Sequence, residues 1–270
     1  MTISGPLQTP AGTLLIYSDR ISACKAAADQ IATSVSHARS RSGRAILGLA
    51  TGSTPIPVYQ ELAQKVRTGE LSIHQTATYN LDEYYPISPL DPRSYRAFMH
   101  QHLFEHVGLA PNQTHVLDGT VPESSVDAHC QEFERWITNE GGLDLQLLGI
   151  GRNGHIGFNE PLETEVETAL KLSTRLVSLH PTTVKDAAPD FGGITDNVPT
   201  RALTMGIATI LSARSILILA FGSAKADAVV GAIEGPISAM LPASLLQTAA
   251  HKVTWMVDEA AAASLKLSRA

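Results

Sequence analysis

A histidine set among glycines, an adjacent pair of acids and a hydroxyl-rich turn are the parts of this 270-residue chain with chemistry to offer. The histidine lies in Gly149-Ile150-Gly151-Arg152-Asn153-Gly154-His155-Ile156-Gly157-Phe158-Asn159-Glu160-Pro161. Glycines let a backbone fold back tightly, so Glu160 can reach the imidazole of His155. A carboxylate–imidazole pair fixes the tautomer, raises the basicity of the ring and suits His155 to proton transfer. The acids lie in Asn80-Leu81-Asp82-Glu83-Tyr84-Tyr85. In a partly dry pocket Asp82 acquires a raised pKa and can serve as a general base, whereas capping or ion pairing is the other use of an acid in such a place. The turn is Thr51-Gly52-Ser53-Thr54-Pro55. Gly52 permits a tight bend, Ser53 and Thr54 offer hydroxyls, and the helix start that follows offers free N–H groups and a positive dipole end. Those are the parts of a phosphate cradle, although a plain capped turn fits them equally well. Lys225, in the first turn of another helix, is electrostatically misplaced there unless an anion sits beside it.

Other patterns carry less. Gly149, Gly151 and Gly154 spell a dinucleotide-binding fingerprint, but no helix begins at the third glycine and no acid follows at the ribose distance, so a nicotinamide cofactor is not expected. The nucleotide P-loop pattern is absent. His102 and His106 have a metal-ligand spacing on a predicted helix with His100 and Glu105, yet no further ligand motif supports them, and a solvated helix face is the expectation. No metal and no cofactor are expected.

Strand-length apolar runs that alternate with helical patterns must position these loops. Helices are predicted over 19–38, 54–67, 93–107, 123–139, 200–211, 223–233 and 258–267, and strands over 45–50, 77–81, 114–117, 143–148, 215–221 and 252–257. The first helix is capped by Ser18 or Asp19 and ends near Ser42-Gly43, and the second carries Pro55 in its first turn. Strands apolar throughout and separated by helices argue an α/β fold, a mainly parallel, doubly wound sheet with helices on both faces. Ligands of such sheets bind beyond the carboxyl ends of the strands, at a switch in strand order, and each of the loops above follows a strand or opens a helix.

Composition bounds the remainder. Lysine and arginine number 20 against 26 acids, a net charge of −6, which leaves no footprint for nucleic acid or an anionic membrane. A hydrophobic share of 44% and a charged share of 17% are those of an ordinary globular chain, read here as one domain over 1–270. The longest apolar runs are too short to span a bilayer. Met1–Pro10 has no signal-peptide character, and Cys24 and Cys130, far apart and outside any metal spacing, fit a reducing, cytoplasmic setting.

Together TGSTP (Thr51–Pro55), NLDEYY (Asn80–Tyr85), SYRAFMHQHLF (Ser94–Phe104), LLGIGRNGHIGFNEP (Leu147–Pro161), VPTRALTMGIATIL (Val198–Leu211) and FGSAKA (Phe221–Ala226) resemble the glucosamine-6-phosphate deaminase (isomerase) family over nearly the whole chain. The resemblance implies a Rossmann-like fold and conversion of glucosamine 6-phosphate and water to fructose 6-phosphate and ammonia. It implies that Asp82 moves a proton from C2 to C1 of the open-chain sugar, and that His155, assisted by Glu160, opens the ring. Asn153 stands where the family often has aspartate and would orient the histidine. Gly52, Ser53, Thr54, Gly151 and Lys225 match substrate- and phosphate-binding positions, and the partner is an amino-sugar phosphate, with a homo-oligomer possible.

The departures are specific. Leu179–Gly193 holds no arginine where well-known bacterial members place one for the phosphate, and Lys185 is the nearest cation to replace it. Arg175 matches one half of those members' allosteric basic pair, with Val177 in place of the other. Pro161–Ser173 is a few residues longer than usual and is expected to contribute to a lid. The competing readings are a galactosamine-6-phosphate deaminase, a 6-phosphogluconolactonase (whose loop typically reads DGHTASLFP) and a sugar-phosphate sensor without catalysis.

Overall fold

A computed structural model describes residues 5–266. The strands are β1 (Leu7–Thr9), β2 (Gly12–Tyr17), β3 (Ala45–Leu49), β4 (Thr76–Asn80), β5 (Asp82–Tyr85), β6 (Thr114–His115), β7 (Leu145–Gly149), β8 (Arg175–Ser178), β9 (Arg201–Thr204), β10 (Ile216–Ala220) and β11 (Val253–Asp258). The helices are α1 (Arg20–Ser42), α2 (Ile56–Arg67), α3 (Tyr95–Met99), α4 (Glu105–Val107), α5 (Val126–Asn139), α6 (Val166–Ala169), α7 (Pro181–Ala187), α8 (Ile207–Ser212) and α9 (Ala226–Glu234).

One sheet runs β1-β2-β11-β10-β7-β3-β4-β6 and is parallel except for the β1–β2 hairpin. Alternation along each strand feeds two cores. Ile46, Leu148 and Ile218 face α5, α8 and α9, whereas Leu47, Leu147 and Leu219 face α1, α2 and the helix after Ser94. The doubly wound reading is therefore correct. From β3 the chain builds outward through β4 and β6, then returns to place β7 on the other side of β3. The β3–β7 junction is the switch in strand order, and the loops that leave those two strands flank one crevice.

Local chemistry sets the helix ends. The Asp19 carboxylate accepts from Ser22 N at 2.8 Å, and Gly43, at φ 77°, closes α1 in the left-handed conformation. Pro55 is the cap residue of α2 rather than part of its first turn. Ser94 Oγ accepts from Ala97 N at 3.1 Å and starts α3 two residues later than predicted. The helix is continuous to Val107, but His100–Phe104 is a wider π-type segment.

Two expectations fail. Thr200–Leu211 is not one helix: Arg201–Thr204 is β9, the middle strand of a second sheet, β5-β9-β8, antiparallel throughout. Pairing on both edges overrides the helical spacing, and Gly206 marks the break, since a side chain there would meet the Leu172 carbonyl oxygen at 2.0 Å. Residues 259–264 form turns rather than a closing helix, with the Asp258 carboxylate accepting from Ala261 N at 2.8 Å and Gly222 N at 3.0 Å; Leu267, like Met1–Ser4, lies outside the described residues. The β1–β2 hairpin has no counterpart in the predicted elements. Its turn depends on Gly12 at φ 116°, packed so closely on the Val253 carbonyl that a Cβ would come within 2.3 Å.

Candidate active site

The crevice at the switch point holds a cavity of about 240 Å³. Its walls come from the turns after β3 and β7, from β5, from α7 and from the start of α9.

The turn after β3 supplies Gly52 and Thr54. Gly52 has φ 91°, a conformation that a side chain would strain. Ser53 is exposed beside them, and its carbonyl accepts a hydrogen bond from the Arg20 guanidinium of α1. Lys225 enters from the turn after β10, where Ser223–Lys225 makes one 3-10 turn ahead of α9. Burial lowers the pKa of its ammonium; Asp186 pulls it back up and Arg152 pushes it further down.

β4 leads through Leu81 into β5, which carries both acids. Asp82 is 5% exposed and lines the cavity. Burial raises its carboxyl well above the usual range, and the charge of Glu83 adds to the shift. The wall beside it is aromatic: Tyr84 lies 4.8 Å from Tyr95 and 5.5 Å from Phe158, ring centre to ring centre. Glu83 is turned elsewhere. Its carboxylate accepts from the backbone N–H groups of Tyr84, Tyr95 and Arg96 at 2.8–3.0 Å, so it caps the start of α3. Burial raises its pKa and these N–H groups oppose the rise, leaving it at about 7.

The turn after β7 closes on itself through Gly151 N to His155 O at 2.9 Å and Gly154 N to Gly151 O at 3.0 Å. This lays the imidazole of His155 over Gly151, where a Cβ would meet three ring atoms at 2.3–2.5 Å. His155 Nδ1 faces Glu160 Oε2 at 3.4 Å and Thr183 Oγ1 at 3.4 Å. With the proton on Nδ1, Nε2 is the basic nitrogen. Asn153 does not touch the ring. Its amide donates to Glu160 Oε2 at 2.9 Å and its oxygen accepts from His155 N at 3.2 Å, so it holds the carboxylate and the backbone. Glu160 also accepts from His180 N at 3.3 Å. Burial would raise its carboxyl, but the hydrogen bond and charge of His155, with the hydrogen bonds of Thr183 and Asn153, hold it at about 2.

Asp82, His155, Gly52, Thr54, Gly151 and Lys225 thus line one cavity, with Asn153 and Glu160 directly behind the histidine and Ser53 at the edge. Lys185 is elsewhere: it is exposed on α7, while Thr183, Asp186 and Ala187 of the same helix line the cavity. Arg175 donates to Asn159 Oδ1 at 3.0 Å and so braces the histidine loop, and Val177 packs on the core beneath α7. Pro161–Ser173 contributes no wall to the cavity; α7 does. Sequence reasoning missed Thr183 and Asp186, which sit in no pattern, Arg152, which stands inside the glycine-rich loop but was given no role, and the capping role of Glu83, which depends on where α3 begins. Cys24 and Cys130 are free and buried, and among the described residues no helix is long and apolar enough to cross a membrane.

The arrangement offers a base in a dry wall, an oriented imidazole and a cationic, hydroxyl-bearing end, the parts needed to bind an anion at one end of a small molecule and move protons at the other. Residues 18–255 match the family of glucosamine-6-phosphate isomerases/6-phosphogluconolactonase. Over 221 residues the chain is 47% identical to the glucosamine-6-phosphate deaminase of Halothermothrix orenii, covering 82% of this chain and 88% of that one. A solved monomeric glucosamine-6-phosphate deaminase superposes with a TM-score of 0.84 at 38% identity, over 93% of this chain and 98% of the other. The 6-phosphogluconolactonase of Trypanosoma brucei superposes with a TM-score of 0.76 over 94% of this chain and 98% of its own, at 17% identity, and so shares the fold.

Proposed function

The chain belongs to the glucosamine-6-phosphate isomerase/6-phosphogluconolactonase family, and from that premise we propose that it is an enzyme converting glucosamine 6-phosphate and water to fructose 6-phosphate and ammonia. One observation carries the reading: the Asp82 carboxyl and the Glu160-oriented His155 face a single cavity that ends at Gly52, Thr54 and Lys225.

In this reading the phosphate docks on the turn after β3 and on Lys225. His155 takes the proton from the anomeric hydroxyl and returns one to the ring oxygen, opening the sugar. Glu160 stabilises the imidazolium that forms between the two transfers, and Asn153 keeps Glu160 in place. Asp82 then removes the proton from C2 while the C2 ammonium gives up one proton and the carbonyl oxygen O1 gains one, which leaves an enolamine, and Asp82 delivers the C2 proton to C1. The C2 iminium so formed adds water and releases ammonia, leaving the ketone. The raised pKa of Asp82 suits this work: a more basic carboxylate is the stronger base, and the ammonium at C2 of the bound substrate favours its ionised form. The steps are proton transfers, an addition of water, the opening of one C–O bond and the loss of ammonia, with no external oxidant or reductant, so the chemistry as written uses no redox cofactor and routes no step through a metal. We place the protein in the cytoplasm, where free cysteines and phosphorylated sugars both belong.

Ammonia release from glucosamine 6-phosphate and from galactosamine 6-phosphate, measured beside hydrolysis of 6-phosphogluconolactone, tests the proposal. Preference for the first supports it. Preference for the second keeps the chemistry and changes the sugar. Lactone hydrolysis without ammonia from either amino sugar overturns it.

A further inference from the structure

The charges around the cavity do not balance for a phosphate. Asp82, Asp186 and Asp190 line it, against Lys225 and the ring of His155. A dianion that approaches Lys225 also approaches Asp186, since both line the cavity and the charge of Asp186 acts on the Lys225 ammonium. Asp186 is not free. The guanidinium of Arg152, next to Gly151 in the turn after β7, grips it with both prongs: Nε donates to Oδ2 at 2.9 Å and Nη2 donates to Oδ1. Arg152 also acts on Lys225. The carboxylate and the ammonium line the cavity, and the guanidinium reaches its mouth through Asp186.

A guanidinium fork that fits a carboxylate also fits two oxygens of a phosphate. The pair is half exposed, with 47% and 42% of its side chains open to solvent, so solvent and salt screen it and water can replace the hydrogen bonds it gives up. We propose that Arg152 is the second cation of the phosphate subsite, and that Asp186 occupies it in the free protein and yields it to the phosphate of the substrate. This rests on the sugar-phosphate reading above. Asp186 is then a stand-in anion: it holds the guanidinium at the mouth and competes with the incoming phosphate. Because Asp186 sits on α7, three residues after the Thr183 that meets His155, the exchange of partners also frees one tie between α7 and the turn after β7.

The proposal sets opposite signs on the two partners. The full chain and its Arg152→Gln, Arg152→Lys and Asp186→Asn variants would be titrated with inorganic phosphate by calorimetry, and KM and kcat measured for glucosamine 6-phosphate. Arg152→Gln should weaken phosphate binding about 10- to 100-fold, the range of a charge-assisted bidentate contact, and its kinetic loss should fall mainly on KM. Arg152→Lys should recover part of it. Asp186→Asn should tighten phosphate binding and lower KM. If the pair is merely a brace between α7 and the β7 turn, Asp186→Asn weakens phosphate binding as Arg152→Gln does, and the proposal is overturned. Unchanged phosphate affinity in Arg152→Gln overturns it too. If the parent chain releases no ammonia while phosphate affinity moves as stated, the substrate reading fails and the role of Arg152 stands.

Discussion

Asp82 and Glu83 are neighbours on β5, and both are buried, yet their carboxyl groups leave the strand on opposite faces. Asp82 points into the cavity, while Glu83 takes three backbone N–H groups at the start of α3. Adjacent acids that look like a catalytic pair are one candidate base and one helix cap, and each has its own consequence under mutation.

Asp82→Asn removes the proposed base without changing its size. Turnover of glucosamine 6-phosphate should fall by roughly 10²–10⁴-fold, the usual contribution of a positioned general base, with the thermal melt of the parent retained. Near-normal turnover in a folded variant would remove Asp82 from the proton shuttle.

Glu83→Gln takes away the charge that adds to the burial of Asp82. Asp82 then ionises more readily, so the acidic limb of the kcat/KM profile should move to lower pH. The same variant loses a carboxylate that accepts from the first turn of α3, and the melting temperature should drop. A limb that stays in place would show that burial alone sets the pKa of Asp82.

Gly151→Ala places a methyl group within 2.3–2.5 Å of the His155 ring. Backbone conformation is no obstacle at this position, so the ring must move. A displacement near 1 Å costs on the order of 10²-fold in rate. The loss should appear in kcat, and the imidazole resonance of His155 should shift in the NMR spectrum.

Glu160 carries a pH signature for stability. Its pKa falls from the ordinary 4.5 to about 2 in the folded chain. The stabilisation is complete above about pH 4.5 and is lost as pH falls through 4.5 towards 2. Urea midpoints of the parent and Glu160→Gln should therefore differ most near neutral pH and converge in acid. A constant difference would mean that the carboxylate is not held by His155 in solution.

The sequence was most legible where local pattern and tertiary demand agree. The apolar runs at Ala45–Leu49 and Ile216–Ala220 need no partner to be read as buried strands, and Asp19 and Gly43 announce the ends of α1. It was least legible where a distant partner decides. Arg201–Thr204 has helical spacing, but β5 and β8 take both of its edges. The same logic divides the site. Asp82, His155 and Glu160 stand in motifs whose spacing already suggests their chemistry. Thr183, Arg152 and Asp186 acquire a place only when α7 folds over the turn after β7, and Asn153 proves to touch Glu160 rather than the imidazole ring.

The position of β2 bears on how the chain is made. Residues Thr13–Tyr17 pair along their inner edge with Thr254–Asp258, and Trp255 Nε1 donates to the Ala11 carbonyl at 3.0 Å. A ribosome delivers the first of these segments long before the second. Throughout synthesis the hairpin carries a bare strand edge whose proper partner does not yet exist, and such edges recruit other chains. The strand that ends that exposure is the last of the sheet to emerge, so a product truncated before Val253 keeps the open edge for its lifetime. Premature termination near the end of translation should therefore yield an aggregation-prone chain, even with every proposed catalytic residue already in place.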